Sequence, residues 1–466
     1  MRTTRLTAVM LFLLCANVAR AEQSAPLSLN DLLRAALAHD GRVLAAHAEL
    51  NVYRAKYDEA SWLWFPVIKL QGLIGGPVSE RRLLDCDPTT DPLCTGVGVT
   101  DASKGGDFDL GNMSIAMGGK IEAIMPIYTF GKISEAKKAA QAGVRASEAG
   151  IARARQEVAL EVRRAYYGWL LSTSAVEILE DGENKVKAAE KKLIKMLDEL
   201  NEDVTDRDLF KLRYYASQVK SMLVRARKGR AITLAALRFL TGINDLGTKR
   251  KLVEQELTAL EFKEEPRETY LARARRQRPE LKMLMAAIDA RLAGVELQKA
   301  SFYPDFFLGG YFKGSWSPVH DFIENPLLNA GLTSYDAGLA VGFQITFDIP
   351  LKLARLEQAR AQLSKTQVQS GQAELAVKLE IDKCLEDMRE AISNNKIQRK
   401  GHRSAKAWMR ANWMSYGIGI SDTKDLLDSI AAYAVSKIEL DKAKHNILVA
   451  IDKLHAACGD NLSKAP

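Results

Sequence analysis

The segment 334–349 alternates strictly between two kinds of side chain. From Tyr335 to Ile349 every odd position is apolar, whereas every even position from Ser334 to Asp348 is small or polar. This period of two residues predicts a β-strand with one apolar and one polar face. Its length exceeds the roughly 9–11 residues that a tilted strand needs to cross a bilayer. The pattern therefore favours a transmembrane barrel, with a soluble β-sandwich as the alternative.

Three further segments, 64–76, 113–127 and 304–316, show the same alternation more weakly. Polar side chains share one face of the four predicted strands: Lys69, Gln71, Lys120, Glu122, Asp336, Gln344 and Thr346. We expect them to line a water-filled lumen. A barrel that served only as an anchor would not require such a face.

Aromatic side chains lie at both ends of the predicted strands. One group falls at the end that adjoins the helices: Trp62, Trp64, Phe65, Tyr128, Phe130, Phe302, Tyr303 and Phe347. A second group falls at the loop end: Tyr311, Trp316 and Tyr335. Two aromatic belts that flank an apolar band are typical of outer-membrane barrels. The aromatic pattern therefore favours the membrane over the soluble sandwich.

Four strands are too few to close a barrel. An open sheet edge in hydrocarbon leaves backbone groups unpaired, at a cost of several kcal/mol each. We therefore expect the chain to oligomerise, with two, three or four copies supplying 8, 12 or 16 strands.

The chain is internally duplicated. Residues 32–72 align with 270–310, and residues 206–242 align with 423–459, each without a gap. The two alignments differ in the offset between matched residue numbers. Most of this difference falls in two predicted surface loops of unequal length. The predicted divisions are a signal peptide (1–21), a first repeat (22–242), an equatorial linker (243–265), a second repeat (266–459) and a C-terminal tail (460–466).

Long helices make up the remainder of each repeat. Segment 132–200 contains no proline, and its apolar residues recur every three, four or seven positions. This spacing over about 70 residues, or roughly 100 Å of helix, favours coiled-coil partners over a globular core. The predicted helices are 29–61, 131–200 and 205–241 in the first repeat and 351–415 and 421–458 in the second, with shorter helices before segment 304–316.

The N-terminus predicts export. Arg2 and Arg5 precede the apolar run 6–15, and small residues end at Ala21, where we expect a signal peptide to be cleaved. Removing this segment with its three arginines lowers the formal net charge from +8 to +5. So small a net positive charge, scattered along the chain, does not indicate a nucleic-acid partner.

Four cysteines remain after the predicted cleavage. Cys86 and Cys94 lie in a segment rich in Pro and Asp, and in an oxidising compartment we expect a disulfide between them. The alternative is a pair of unpaired loop thiols. Cys384 and Cys458 fall in helical patterns and are expected to be core residues.

The sequence carries no recognised catalytic motif, phosphate-binding loop or paired Cys-x-x-Cys motif. Its six histidines show no metal-ligand spacing. We therefore expect neither an enzyme nor a cofactor or metal site.

The duplicated plan, Pro66, Pro126, Pro304 and Pro350 at the strand ends, and the stretch YGIGISDTKDLLDS together carry a family resemblance. The chain resembles the TolC-like outer-membrane efflux factors over nearly all of its length beyond the signal peptide. The resemblance implies an α+β membrane protein in which four strands per chain build a trimeric 12-stranded β-barrel in outer-membrane lipid. A long α-helical coiled-coil barrel then continues across the periplasm. The implied partners are a periplasmic adaptor protein and an inner-membrane pump.

The resemblance also places functional residues at the turn near position 420. Asp425 and Asp428 match carboxylates that ring the narrow periplasmic end of the tunnel, and their spacing puts them on one helix face. Three copies of each would favour cations. The alternative is local, because Asp422 as N-cap and Asp425 in the first turn would complement the helix dipole.

Tyr416 and Asp208 match family positions that tie neighbouring hairpins shut. The arginine that the pattern places five residues after the tyrosine is Ser421 here, so one charged tie is missing. The two turns themselves are the expected adaptor contacts: Asn201 and Glu202 in the first, and Gly417, Ile418 and Gly419 in the second.

The favoured function is an export duct for small toxic compounds or polypeptides, gated at its periplasmic end. The alternative is a non-transport scaffold or adhesin that spans the periplasm and is anchored by its barrel.

Overall fold

The computed structural model describes residues 26–79, 113–199, 205–253, 256–258, 262–318, 332–417 and 423–463. Several predictions concern residues outside these ranges and are not tested by the structure: the signal peptide, Cys86, Cys94, Asn201, Glu202, Ile418, Gly419, Ser421 and Asp422.

The described residues form eight helices and four strands. The helices are α1 (Leu29–His39), α2 (Gly41–Ser61), α3 (Lys132–Asp198), α4 (Asp206–Thr241), α5 (Arg267–Gln277), α6 (Pro279–Ala300), α7 (Ile349–Gly417) and α8 (Thr423–Cys458). The strands are β1 (Val67–Ser79), β2 (Met113–Tyr128), β3 (Asp305–Trp316) and β4 (Ser334–Gln344). None of the described helices is long and apolar enough to span a membrane.

The helix predicted at 29–61 is two helices. Asp40 leaves the helical conformation with ψ 126°, and its carboxylate accepts a hydrogen bond of 2.9 Å from the backbone N–H of Arg42. It therefore ends α1 and satisfies an otherwise free amide at the start of α2. The same break recurs in the second repeat at Arg278, which aligns with Asp40 and precedes Pro279. A proline disfavours helical backbone at the residue before it and is well suited to a first helical turn.

The strand predicted at 334–349 is shorter than its alternating pattern. Strand β4 ends at Gln344, and α7 already begins at Ile349. The ammonium of Lys352 donates to the carbonyl oxygen of Thr346 at 2.5 Å, so this turn folds toward the helix. Pro350 cannot donate to a strand ladder but suits the first turn of a helix. The alternating pattern alone therefore predicted too long a strand.

The chain forms two compact units. The first comprises the described parts of Met1–Asn51, Arg145–Met285 and Val368–Pro466 and is almost entirely helical. Its largest apolar core packs Leu32 of α1, Val162 of α3 and Leu237 of α4 around Leu246 and Leu252 of the predicted linker. The linker thus helps to bury the core, and its backbone pairs with residue 27 by hydrogen bonds of 2.8 and 3.0 Å.

The first unit also contains a buried ion pair. The guanidinium of Arg163 on α3 lies 2.8 Å from the carboxylate of Asp452 on α8, and both side chains are almost completely buried. The same guanidinium donates to the carbonyl oxygen of Leu462. Cys384 and Cys458 are buried, unbridged members of a neighbouring core cluster, which confirms the prediction that they are core residues.

The second unit comprises the described parts of Val52–Val144 and Ala286–Gln367. It holds a four-stranded sheet in the order β1-β2-β3-β4, and all neighbouring strands are antiparallel. Strand β2 continues past Pro126 to Tyr128 through a register shift. A proline is tolerated in a strand at such an irregularity because the ladder there lacks one hydrogen bond in any case.

Candidate functional site

The two faces of the sheet differ sharply in chemistry. In β4 the odd-numbered side chains point to one face and are strongly exposed, with Leu339 at 85%, Val341 at 70% and Phe343 at 66% of their maximal surface. The register continues this apolar face across the other strands: Ile68, Leu70, Ile74, Met117, Ile121, Met125, Phe306, Leu308 and Phe312. So large an exposed apolar surface indicates contact with an apolar environment.

Aromatic rings cluster at the end of the sheet that adjoins the helices. Trp62, Trp64 and Phe65 contact one another with ring centroids about 6 Å apart. Phe130 stacks on Tyr303 with centroids 5.1 Å apart. It does so from a left-handed backbone conformation (φ 49°), which the tight turn from β2 into α3 requires. Six of the eight rings predicted for this belt therefore form two contact clusters, one of Trp62, Trp64 and Phe65 and one of Tyr128, Phe130 and Tyr303.

The prediction for Tyr311 was wrong. It was assigned to the loop-end belt with Trp316, but its register partners are Glu122 and Gly338, on the polar face. Its hydroxyl donates to the carboxylate of Asp336 at 3.1 Å. Successive side chains of a strand alternate between faces, so positions 311 and 316 are necessarily on opposite faces. This signal was available in the sequence.

The polar face carries the charged residues of the strand centres. Lys120 forms an ion pair with Glu122, and Lys313 lies 3.2 Å from Asp336. The predicted polar residues Lys69 and Gln71 share this face, as the register shows by pairing them with Glu122 and Lys120. Two more residues were predicted to line the lumen. Gln344 is the last residue of β4, whereas Thr346 lies beyond the end of the strand.

Asp425 and Asp428, the acids predicted at the periplasmic tip of the tunnel, lie at the start of α8. Asp425 is in the first turn and exposed, and its backbone carbonyl accepts a hydrogen bond of 2.8 Å from the side-chain amide of Asn412 on α7. Asp428 is half-buried, and its carboxylate accepts a hydrogen bond of 2.8 Å from the hydroxyl of Tyr215 on α4. This hydrogen bond raises the pKa of Tyr215. The two carboxylates are therefore in different environments within one protomer.

The predicted gate ties make other contacts in the protomer. The carboxylate of Asp208 accepts hydrogen bonds from the backbone and hydroxyl of Thr205 and pairs with Lys211 at 3.3 Å. Burial disfavours its ionisation, but the bonds from Thr205 outweigh that cost and lower its pKa. The ammonium of Lys192 lies 4.9 Å above the ring of Tyr416. No hydrogen bond joins Tyr416 to Asp208 in the described protomer, and their role as ties stays a prediction.

A cavity of about 420 Å³ lies among α3, α4 and α8, beside the Tyr215–Asp428 contact. Its walls are mostly apolar, and small residues widen it: Gly182, Ala431 and Ala434. An added Cβ at Gly182 would meet no atom within 4 Å. Tyr214, Met222 and Val435 in its wall are exposed, so the cavity is open to solvent.

Comparison with known families decides the identity of this architecture. The sequence model of a family described as outer membrane efflux protein matches residues 32–191 and 270–460, which together are most of the chain. The chain belongs to this family. Comparison with curated protein sequences found no match.

Solved structures of other outer-membrane channels share the fold of this efflux protein. CusC is 16% identical, with 93% of this chain and 92% of that chain covered and a TM-score of 0.73. CmeC of Campylobacter jejuni is 16% identical, with 92% and 85% covered and a TM-score of 0.71. MtrE of Neisseria gonorrhoeae is 17% identical, with 93% and 89% covered and a TM-score of 0.71.

Membership in the efflux family confirms the predicted fold class and localisation. The protein is a duct of the outer membrane with a helical tunnel in the periplasm, and it is not an enzyme. In the described part of the chain, no group of three or more His, Cys, Asp or Glu side chains could hold a metal ion.

Sequence reasoning missed two tip residues of this efflux protein. Tyr215 binds Asp428 from α4, and Lys192 covers Tyr416 from α3. No local motif marks either residue, because both contacts join helices that are distant in sequence. Only the packing of the helices brings these side chains together.

Proposed function

We propose that three copies of this chain form an export duct for small toxic compounds or polypeptides. The duct works with a periplasmic adaptor protein and an inner-membrane pump, and it closes at its periplasmic tip. The observation that carries the proposal is a four-stranded sheet with an exposed apolar face and two edges that no described strand of the same chain covers.

The free edges favour closure with other copies. Strands β1 and β4 are the outer strands of the sheet, and each pairs with one neighbour among the described strands. Because all four strands are antiparallel in sequence order, β4 of one copy can pair antiparallel with β1 of the next. Three sheets joined in this way would close a 12-stranded barrel without an unpaired edge in lipid. The edge geometry supports a closed ring of identical copies, and the family favours three of them.

The tip supports gating. Three copies of Asp425 and Asp428 around one axis would place six carboxylates near the pore, where low-dielectric walls weaken screening. The cavity beside Tyr215 is lined by Leu427 and Ile430, near the start of α8, which is the segment that would move on opening. Among the relatives, the MtrE structure is of an open state, and the CusC structures concern conformational changes accompanying folding and transmembrane channel formation. These relatives support a channel with more than one conformation for this chain.

The decisive experiment measures current through the purified protein in a planar bilayer. We expect a small, cation-selective current that multivalent cations block from the periplasmic side, because the carboxylates create a negative field in the pore. Replacing both acids, Asp425→Ala and Asp428→Ala, removes that field and should abolish the block and the cation preference. The non-transport scaffold predicts no conducting pore in any variant.

A matched control removes two carboxylates per protomer from the other hairpin turn, Asp198→Ala and Glu199→Ala. This control should keep the wild-type selectivity and block. Wild-type selectivity in the Asp425 and Asp428 double variant would reject the lining role. In the single variant Asp425→Ala, which keeps the hydrogen bond between Tyr215 and Asp428, loss of helix stability on the order of 0.3–1 kcal/mol without a change in selectivity would instead support the dipole role of the first turn.

A further inference from the structure

The charged side chains of the strand centres are confined to one band of the sheet. Within β1 to β4 the charged residues are Lys69, Lys120, Glu122, Lys313 and Asp336, together with Asp305 at the helical end. Asp305 is paired with Lys132 of α3 at 2.7 Å and belongs to that end. The other five all lie on the polar face.

The strand register arranges these five residues in two adjacent rows. One row runs from Lys69 to Glu122 and on to Tyr311, each directly opposite the next. The other row runs across all four strands: Gln71, Lys120, Lys313 and Asp336. The rows are two residues apart along each strand, which is about 7 Å. The charges therefore form one narrow belt across the sheet, which we call the charge band.

The charge band contains one more cation than anion in each protomer. Lys120 pairs with Glu122, and Lys313 pairs with Asp336, whereas Lys69 makes no ion pair with any described residue. Lys120 and Lys313 also stand directly opposite each other in the register. Like charges directly opposite in a sheet are destabilising. The surplus lysine gives the charge band a net positive charge, which favours the binding of an anion.

We propose that the charge band is a binding site in the barrel lumen for multivalent anions of the oligophosphate class. The proposal rests on the trimeric duct proposed above, because three copies would close the band into a ring with nine lysines and six carboxylates. Lipid behind the sheet has a low dielectric constant and would focus this positive field into the lumen. The charge band is therefore expected to prefer anions, whereas the acidic tip is expected to prefer cations.

The test is a charge ladder measured with inorganic tripolyphosphate. The band carries a formal +3 per trimer in the wild type, +6 in Glu122→Gln, 0 in Lys69→Gln and −3 in Lys69→Glu. Tripolyphosphate added from the extracellular side of a bilayer at about 0.1 M salt should block the current, because the Debye length there is about 10 Å. The half-blocking concentration should rise about tenfold with each step from +6 to −3.

Calorimetry on the purified trimer should give the same ranking of tripolyphosphate affinities without depending on the state of the tip. The matched control, Lys138→Gln, removes the same charge from α3, away from the sheet, and should bind and respond like the wild type. If the trimer conducts but its block and its tripolyphosphate binding do not follow the charge ladder, the charge-band site is overturned and the proposed duct is retained. A protein that forms no conducting trimer overturns both proposals.

Discussion

At the residue scale, the contact between Tyr215 and Asp428 changes the interpretation of the tip. Asp428 was expected from the family resemblance to face the pore, but in the protomer its carboxylate is held by a hydroxyl from α4. The hydrogen bond raises the pKa of Tyr215 above its usual value near 10. Stability from a raised pKa is fully present below the unfolded pKa and is lost as the pH rises through the folded pKa. This contact should therefore persist throughout the neutral range.

Replacing Tyr215 with Phe removes the hydroxyl and keeps the ring. A hydrogen bond to a charged group contributes roughly 1.5–3 kcal/mol, but Asp428 is half exposed and water would replace part of it, so we expect a loss of about 1 kcal/mol. The population of a state with α8 released should then rise roughly fivefold, measured by hydrogen exchange of the first amides of α8 and by bilayer current.

The control is the adjacent residue, Tyr214→Phe. Tyr214 is 62% exposed, and in the described part of the chain it is the hydroxyl of its neighbour Tyr215 that donates to Asp428. This control should leave exchange and current unchanged. Identical behaviour of the two variants would show that the hydroxyl of Tyr215 does not hold α8.

At the element scale, β4 shows how a single strand assigns its two faces. Leu339 is among the most exposed side chains of the apolar face, and Ala340 lies on the opposite face, beside Gly309. Because the strand lies in the outer membrane, one face meets lipid and the other meets water. Neighbouring residues should therefore tolerate the same substitution very differently.

Leu339→Arg should destabilise the inserted protein by about 2–4 kcal/mol if the position lies near the bilayer midplane, because the cation would face hydrocarbon. Ala340→Arg, the matched variant, should be tolerated, because it would point into the aqueous lumen. The measurement is urea unfolding of the protein reconstituted in vesicles. Equal losses for both variants, or a larger loss for the second, would contradict the assignment of the faces.

At the scale of the whole molecule, the sheet edges require other copies of the chain. The outer strands β1 and β4 have opposite directions, which allows identical copies to join in a closed ring. We expect native mass measurement in detergent to give three copies of the mature chain as a single species. A uniform monomer or dimer would reject the 12-stranded barrel. A different closed ring would retain edge pairing but reject the trimer.

Local chemistry made several features predictable from the sequence. Alternation of Leu339 and Asp336 between faces follows from the period of a strand, and the long spacing pattern of α3 follows from the period of a helix. Both signals are local, so they are independent of how the elements pack. The same holds for the break beside Pro279, although the sequence interpretation did not use it.

The sequence by itself determined the class of the protein: a duplicated chain of long helices and amphipathic strands suited to an outer membrane. Only the tertiary structure decided which side chains meet. The pairing of Lys120 with Lys313 depends on strand register, and the contact of Tyr215 with Asp428 depends on helix packing. Both join residues about 200 positions apart. Periodicity specifies the face on which a residue lies, but the residue opposite it is set by the packing of the whole chain.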